Sequence, residues 1–358
     1  MERKISSVQA ISILADVFEA EMNGDYSRAY QLLSVFWNDF RIQPNTTELS
    51  DDLVAEVFLR CGSIAGYLGR SRQIPEAQDV SRNLLSEAKQ KFLRLGLEAK
   101  VAECDNYLAL TYERVGDVKN ARDYLNSAFS RDIPINHPTR LYSHIIDSLL
   151  NLIEKNYDGI IQSSIMLENL FQDCSNKIYQ GCFYNHYGLA LKNLGNTDEA
   201  LDKFLSARFF FFEAGHHQYC GALENNIARL YTVSGQFKEA HNFANKAENT
   251  FKLVGDFCRQ GYSLDTRASI FLAEGNYEKA LEYAEKGIKF LNNGENMMFL
   301  LETHKTKIKA LIHLKQTSEA RASITKAGQI AQQIDPATEA NFTAEIELFL
   351  TKHIPPLL

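Results

Sequence analysis

G-N-T-D-E-A-L at 195–201 returns as G-Q-F-K-E-A-H at 235–241 and as G-N-Y-E-K-A-L at 275–281, each time after 40 residues. K-Q-T-S-E-A-R (315–321) keeps the register without its glycine, and K-N-Y-D-G-I-I (155–161) lies 40 residues upstream of the first stretch. G-D-V-K-N-A-R (116–122) precedes that one by 39 residues, and G-D-Y-S-R-A-Y (24–30) and R-Q-I-P-E-A-Q (72–78) are looser relatives. The anchoring positions are Ala29, Ala77, Ala121, Ile160, Ala200, Ala240, Ala280 and Ala320, at intervals of 48, 44, 39, 40, 40, 40 and 40. Four consecutive intervals of 40 mark an internal repeat.

Each unit reads as helix, short turn, helix. Upstream of the turns, apolar residues recur at helical spacing: Tyr184, Tyr187, Gly188 and Leu191, then Ile227, Ala228 and Tyr231, then Ala268 and Phe271. The glycine suits the left-handed end of the first helix, and the Asp or Asn beside it can start the second. The anchoring alanine is small because two helices must approach closely there. Downstream come Phe204 and Ala207, with Ala247, Gly287 and Ala327 at the place of Ala207. Nothing in the pattern suggests strands.

This pattern resembles the tetratricopeptide repeat, in which a small residue in the first helix precedes G-[DN]-[YF]-x-x-A at the start of the second. The match is clearest over 104–331 and looser over 5–95. The period of 40 and the F-x-x-x-G-D stretch at Phe251–Asp256 are similar to the extended subgroup found in bacterial Rap-type peptide receptors, TPR sensor regions of regulators and kinesin light chains. The resemblance implies an all-α, right-handed α-solenoid of about eight helix-turn-helix repeats with a capping helix at 337–352. Phe342, Ile346, Phe349 and Leu350 form the apolar stripe of that helix, and I-P-P-L-L (354–358) ends it. The chain departs from the pattern around Ile160 and at Lys315, and its one tryptophan, Trp37, is read in the second helix of the first unit. Rap-type relatives carry a separate N-terminal helical bundle, whereas residues 5–40 here read as a repeat. The expected organisation is a first repeat with a long connection (1–50), further repeats (51–131), a regular array (132–336) and a capping helix with its tail (337–358), all in one continuous solenoid. D-I-P-I-N-H-P (132–138) is the strongest internal break and is read as a loop inside the array.

Composition narrows the function. The 358 residues are 45 % hydrophobic and 23 % charged, as in an ordinary globular chain. The formal charge of −7 gives no whole-molecule basic field for nucleic acid, and no apolar run approaches the length of a membrane helix. The N-terminus, M-E-R-K-I-S-S-V-Q-A, lacks the continuous apolar core of a secretory signal, so a cytoplasmic protein is expected, with reduced thiols at its six cysteines. No phosphate loop, dinucleotide fingerprint or nucleophile elbow is present, and no histidine or cysteine set has metal-ligand spacing. The expectation is a non-enzymatic protein that needs no cofactor.

A repeat solenoid offers its concave surface to partners. Core positions of a first helix lie nine, twelve and thirteen residues before the anchor, as Leu191, Gly188 and Tyr187 do before Ala200. The position fifteen before is turned by about 200° from Tyr187 and is read as facing inward. It holds Asn106, Ile145, Asn185, Asn225, Asp265 and Lys305, and Asn226 lies beside Asn225. Asparagine is a poor helix former, and its amide both donates and accepts, so it suits the backbone of an extended peptide; it equally suits a bond to the neighbouring repeat. One turn on, the same face carries Arg229 and Lys309, and beyond it Lys192. Lys192, Arg229, Lys305 and Lys309 therefore make a candidate positive surface for an acidic peptide or a free C-terminal carboxylate, opposed by Asp265, Glu113 and Glu302. Phe209 and Phe212 replace polar residues of the three sister repeats and mark an apolar contact site, whereas Phe210 and Phe211 align with core positions. The expected function is a protein-protein interaction module that binds a peptide or protein segment in the groove, as adaptor or peptide-sensing regulator. The alternative is a scaffold or chaperone-like assembly factor that uses its outer surface. Self-association stays open.

Overall fold

The computed structural model describes residues 5–353 apart from 41, 72, 73, 75, 293–296 and 335. Within these residues the chain forms eight helix pairs and one single helix, with no strand. The pairs are α1 (Ser7–Met22) with α2 (Tyr26–Leu33), α3 (Asp51–Ser71) with α4 (Ala77–Arg94), α5 (Glu98–Arg114) with α6 (Val118–Phe129) and α7 (Pro138–Ile153) with α8 (Tyr157–Gln172). They continue as α9 (Lys177–Asn193) with α10 (Thr197–Glu213), α11 (His217–Val233) with α12 (Phe237–Leu253), α13 (Phe257–Ala273) with α14 (Tyr277–Leu291) and α15 (Met297–His313) with α16 (Thr317–Ile334), and α17 (Pro336–His353) stands alone. Two compact units result: residues 1–216 hold α1–α10, and residues 217–358 hold α11–α17.

The repeat works through its turn. Gly195 has φ +86°; its N–H donates to Lys192 O at 3.1 Å, and the next N–H, from Asn196, donates to Leu191 O at 2.9 Å. This left-handed closure satisfies carbonyls that the helix end leaves free. Two of the three units without the glycine keep the same backbone, Lys155 and Lys315 both sitting at φ 60°; the third, at Arg72, lies outside the described residues. Packing therefore imposes a conformation that a Cβ opposes. The residue after the turn caps the second helix by accepting a backbone N–H. Asp25 accepts from Arg28, Asp117 from Asn120, Asn156 from Gly159 and Asn276 from Lys279, whereas Asn196 and Gln236 make no such side-chain bond. All eight anchoring residues are buried. A Cβ on Gly188 would fall 2.7 Å from the Phe204 ring and 3.3 Å from Ala200 O, which measures how closely α9 and α10 approach.

Downstream, Phe204, Ala207, Phe211, Ala247 and Phe251 are buried, and Phe210 is half-buried, stacked on Tyr184. The single helix α17 packs on α15 and α16 through buried Phe342 and Ile346, with Phe349 and Leu350 at the margin. It caps the second unit; the 354–358 tail lies outside the described residues. Trp37 does not belong to α2, which ends at Leu33. It is buried in the connection to α3, where its Nε1–H donates to Ile42 O at 2.8 Å. The break at 132–138 is the loop from α6 to α7; Pro138 opens α7 and the His137 side chain caps it.

Within each unit the first helices of successive pairs pack directly on one another: α1 on α3, α3 on α5, α5 on α7 and α7 on α9, then α11 on α13 and α13 on α15. Second helices meet the first helices on either side, as α4 meets α3 and α5. The row of first helices is thus the tighter, inward wall of each unit.

A buried arginine ties the first three of these helices. Arg60 of α3 is 0 % exposed; its Nη1 meets Glu21 of α1 at 2.8 Å, its Nε meets Glu56 at 2.9 Å, and its Nη2 meets Glu103 of α5. Ser63 donates to Glu21, and Lys100 pairs with Glu56 and Glu103 at 2.8 and 3.1 Å. Burial lifts the Glu21 carboxyl above its ordinary range despite Arg60 and Ser63. Burial pushes Glu103 the same way, but the charges of Arg60 and Lys100 outweigh it and hold that carboxyl below.

Two outcomes follow for stability. A Cβ on Gly195 meets nothing within 4 Å, so only backbone strain is at stake there. Urea denaturation of Lys315→Gly should show a gain of roughly 0.5–1 kcal/mol, and Gly195→Ala a comparable loss, after the greater freedom of glycine in the unfolded chain is set against the left-handed penalty. Arg60→Met leaves buried carboxylates without their partner and should cost about 3–5 kcal/mol in the same measurement; a loss below about 1 kcal/mol would show that the cluster holds nothing together.

Candidate functional site

In the first unit the inward wall borders a half-open cavity of about 460 Å³. Helix α1 contributes Ile11, Leu14 and Phe18, α3 contributes Leu53 and Glu56, and α5 contributes Lys100, Glu103 and Tyr107. Tyr142 of α7 and Tyr179 of α9 complete the far side, with His137 and Thr139 at the α7 entry. The three tyrosines form a ladder: Tyr107 and Tyr142 have ring centres 5.9 Å apart, and Tyr142 and Tyr179 stack at 5.3 Å. Burial raises all three phenols above their ordinary range. On the opposite wall, Ile11 is 57 % and Phe18 44 % exposed, large apolar side chains left outside any core. Phe18 lies under the Arg60 guanidinium, 4.9 Å from the ring centre, so the buried ion cluster forms part of the floor.

The wall bends enough for the first pair to meet the fifth. Asn176 Nδ2 lies 3.9 Å from Met22 Sδ. The His216 ring rests on Gly24 so closely that a Cβ there would fall 2.3 Å from Nε2. Phe18 and Arg60 have no counterparts in the other repeats, whereas the Tyr142–Tyr179 stack recurs as Tyr262 on Phe299, with ring centres 4.1 Å apart.

The row fifteen residues before the anchors is placed differently from the expectation. Asn106 is fully buried; its Nδ2 donates to Thr139 O at 3.1 Å, and its Oδ1 accepts from Ser143 Oγ at 2.9 Å. That amide joins α5 to α7 and is not open to a peptide. The angular argument correctly separates this face from the Tyr187 face, but the next first helix covers it. Ile145, Asn225 and Asp265 are buried for the same reason, while Asn185, Asn226 and Lys305 are half-buried.

The second unit carries a polar line along α11, α13 and α15. Asn225 Oδ1 and Asp265 Oδ1 are buried without a hydrogen-bond partner among the described residues. Burial raises the Asp265 carboxyl to about 6, against the opposing pull of Arg229. Arg229 Nη1 is 3.9 Å from Asp265 Oδ2 and donates to the Tyr262 hydroxyl at 2.9 Å. Lys305 pairs with Glu302 at 2.8 Å and with Glu345 at 2.9 Å, and Lys309 pairs with Glu345 at 2.8 Å. Glu345 stands on α17, beyond the repeats that the sequence comparison aligned. The cations grouped as a positive surface in this unit are therefore already matched by carboxylates. Lys192, in the first unit, is half-buried on α9.

On the second helices, Phe209 and Phe212 are 56 % and 58 % exposed, and Leu205 joins them on one stripe of α10. Phe211 is core and Phe210 lies between the two environments.

No family model and no curated protein sequence matches the chain. Solved structures do match. Aspartyl phosphate phosphatase F from Bacillus subtilis is 14 % identical, with 93 % of this chain and 96 % of that chain covered and a TM-score of 0.60. The apo form of RapI is 13 % identical, with coverages of 96 % and 92 % and a TM-score of 0.63. NprR in complex with its cognate peptide NprX is 17 % identical, with coverages of 83 % and 85 % and a TM-score of 0.59. At these identities the likeness concerns the fold alone, and that fold is a tetratricopeptide-type, Rap-like arrangement of stacked helix pairs.

Proposed function

We propose that this chain is a non-enzymatic interaction module that captures a peptide or protein segment on its inward wall of first helices, as an adaptor or a peptide-sensing regulator. The observation that carries the reading is the cavity in the first unit, walled by helices from five successive pairs and lined by apolar side chains that no core absorbs. A preformed, largely apolar hollow with a few polar groups is the usual form of a ligand site. The half-buried amides of Asn185 and Asn226 and the partly exposed Arg229 give each unit polar groups on the same wall. Among structures of similar fold, NprR is in complex with its cognate peptide NprX, and a Rap protein is complexed with competence and sporulation factor. An acidic or C-terminal ligand loses its appeal in the second unit, because Lys305 and Lys309 already face Glu302 and Glu345.

The exposed stripe of Leu205, Phe209 and Phe212 favours the second reading, a scaffold that holds its partner, or a further copy of itself, on the outer surface. The two readings separate by mutation. Peptides selected from a random display library on the full chain should lose about tenfold or more in affinity with Asn226→Ala/Arg229→Ala or with Asn185→Ala, while circular dichroism and melting stay unchanged. Phe209→Ser/Phe212→Ser should leave that affinity intact. The reverse pattern would move the site to the outer surface.

A further inference from the structure

We propose that the outer face of α8 and α10 is a second docking surface, separate from the inward wall, and that it takes a basic amphipathic helix of a partner protein. The inference goes beyond peptide capture on the wall and does not rest on it.

Apolar exposure is the first argument. Leu205, Phe209 and Phe212 of α10 are 39 %, 56 % and 58 % exposed, and Ile165 and Met166 of α8 are 64 % and 73 % exposed. Lys203 of α10 bonds Glu168 of α8 at 2.6 Å, so the two helices lie side by side. At the places of Leu205, Phe209 and Phe212, α12 carries Asn245, Asn249 and Lys252, and α14 carries Glu285, Lys289 and Asn292. The helix-pair fold therefore does not require apolar residues there. With aromatic side chains of about 150–250 Å² each, the five residues present roughly 500 Å² to solvent. A standard interface buries about 800 Å² per partner, a little over half of it apolar. The exposed surface is enough for one.

Charge selects the occupant. Helices α8 and α10 carry Asp158, Glu168, Asp198, Glu199, Asp202 and Glu213 against Lys203 and Arg208. Lys203 is paired with Glu168, and Arg208 is half-buried, whereas the other five carboxylates are exposed. Lys177 at the start of α9, with Nζ 5.3 Å from the Phe210 ring, does not balance them. Asp202 and Glu213 stand within about 40° of Phe209 around α10, directly beside the apolar stripe. A second copy would set these carboxylates against themselves, and anionic lipid headgroups would meet the same repulsion. Lysines or arginines flanking an apolar stripe match them.

Backbone chemistry sets the form of the partner. The second helices bond their own N–H and C=O groups internally, so an extended segment laid on their side chains would find no backbone partner. A helix arrives with those groups satisfied. The stripe from Leu205 to Phe212 spans two turns, about 10 Å, which suits apolar anchors spaced i, i+4 and i+7 on such a helix.

The test uses the full chain and three fluorescein-labelled helical peptides of about 18 residues, or five turns. One has an apolar stripe flanked by lysines, the second has the same stripe flanked by glutamates, and the third scrambles the first so that no stripe remains. In fluorescence anisotropy the lysine-flanked peptide should bind about tenfold more tightly than either of the others. Phe209→Ser/Phe212→Ser should weaken it about tenfold or more with circular dichroism unchanged. Asp202→Lys/Glu213→Lys should reverse the order of the lysine-flanked and glutamate-flanked peptides. Equal binding of those two peptides to the wild-type chain overturns the inference, as does binding untouched by both double variants. If affinity falls only with Asn226→Ala/Arg229→Ala, the peptide sits on the wall; the outer surface fails as a site and capture by the wall stands. A wild-type chain that binds none of the peptides overturns the inference too. So does a dimer in sedimentation equilibrium, or adsorption to phosphatidylglycerol vesicles, that Phe209→Ser/Phe212→Ser abolishes, because a second copy or a membrane would then be the occupant.

Discussion

Seven of the eight helix pairs close over a buried alanine, and the pair of α7 and α8 closes over Ile160. The buried alanine near the start of the second helix lets that helix lie against the first, and at Gly188 the approach leaves no room even for a methyl group. Close contact of this kind fixes the angle of the pair and hence where the next first helix can pack. One pair cannot cover its own apolar stripe, so stability passes from neighbour to neighbour. Even where the turn lacks its glycine, at Lys155 and Lys315, the pair holds the left-handed backbone against the preference of the residue.

From that constraint follows the division of labour between the two rows of helices. First helices touch first helices and make the inward wall; second helices ride outside. The wall needs ties that the alanine contact does not supply, and polar groups provide several of them. The Asn106 amide joins α5 to α7. Arg60 joins α1, α3 and α5. Glu345 on α17 ties down two lysines of α15. Such groups hold successive repeats in register, and those at the edge of the wall remain open to a ligand.

The periodicity of the sequence was enough to place the helix pairs, the left-handed turns, four of the second-helix caps and the capping role of α17, because each depends on residues close together in the chain. Sorting the four phenylalanines at 209–212 by comparison with sister repeats matched the burial of three, with Phe211 inside and Phe209 and Phe212 outside, whereas Phe210, aligned with core positions, is half-buried. What periodicity missed has a common cause. A first helix is covered on two faces, by second helices and by the next first helix, so a residue turned about 200° from the core can still be buried, as Asn106 and Asn225 are. Ion pairs between residues some 40 positions apart, such as Arg60 with Glu21 and Glu103, leave no local trace. The cavity sets Phe18, which has no counterpart in the other repeats, against Tyr142 and Tyr179, which recur as Tyr262 and Phe299, so recurrence marks only one of its sides. Trp37 was misplaced because a buried aromatic residue near a helix end reads the same whether it is in the helix or just past it.

The claim on which this account depends is that first helices, not second helices, receive the captured peptide. Hydrogen exchange of the full chain, with and without a saturating bound peptide, tests it most directly. The account predicts that added protection gathers in α1, α3, α5, α7 and α9, or in α11, α13 and α15, and leaves α10 and α12 unchanged. Protection centred on α10 around Leu205, Phe209 and Phe212, with the first helices unaffected, would contradict it.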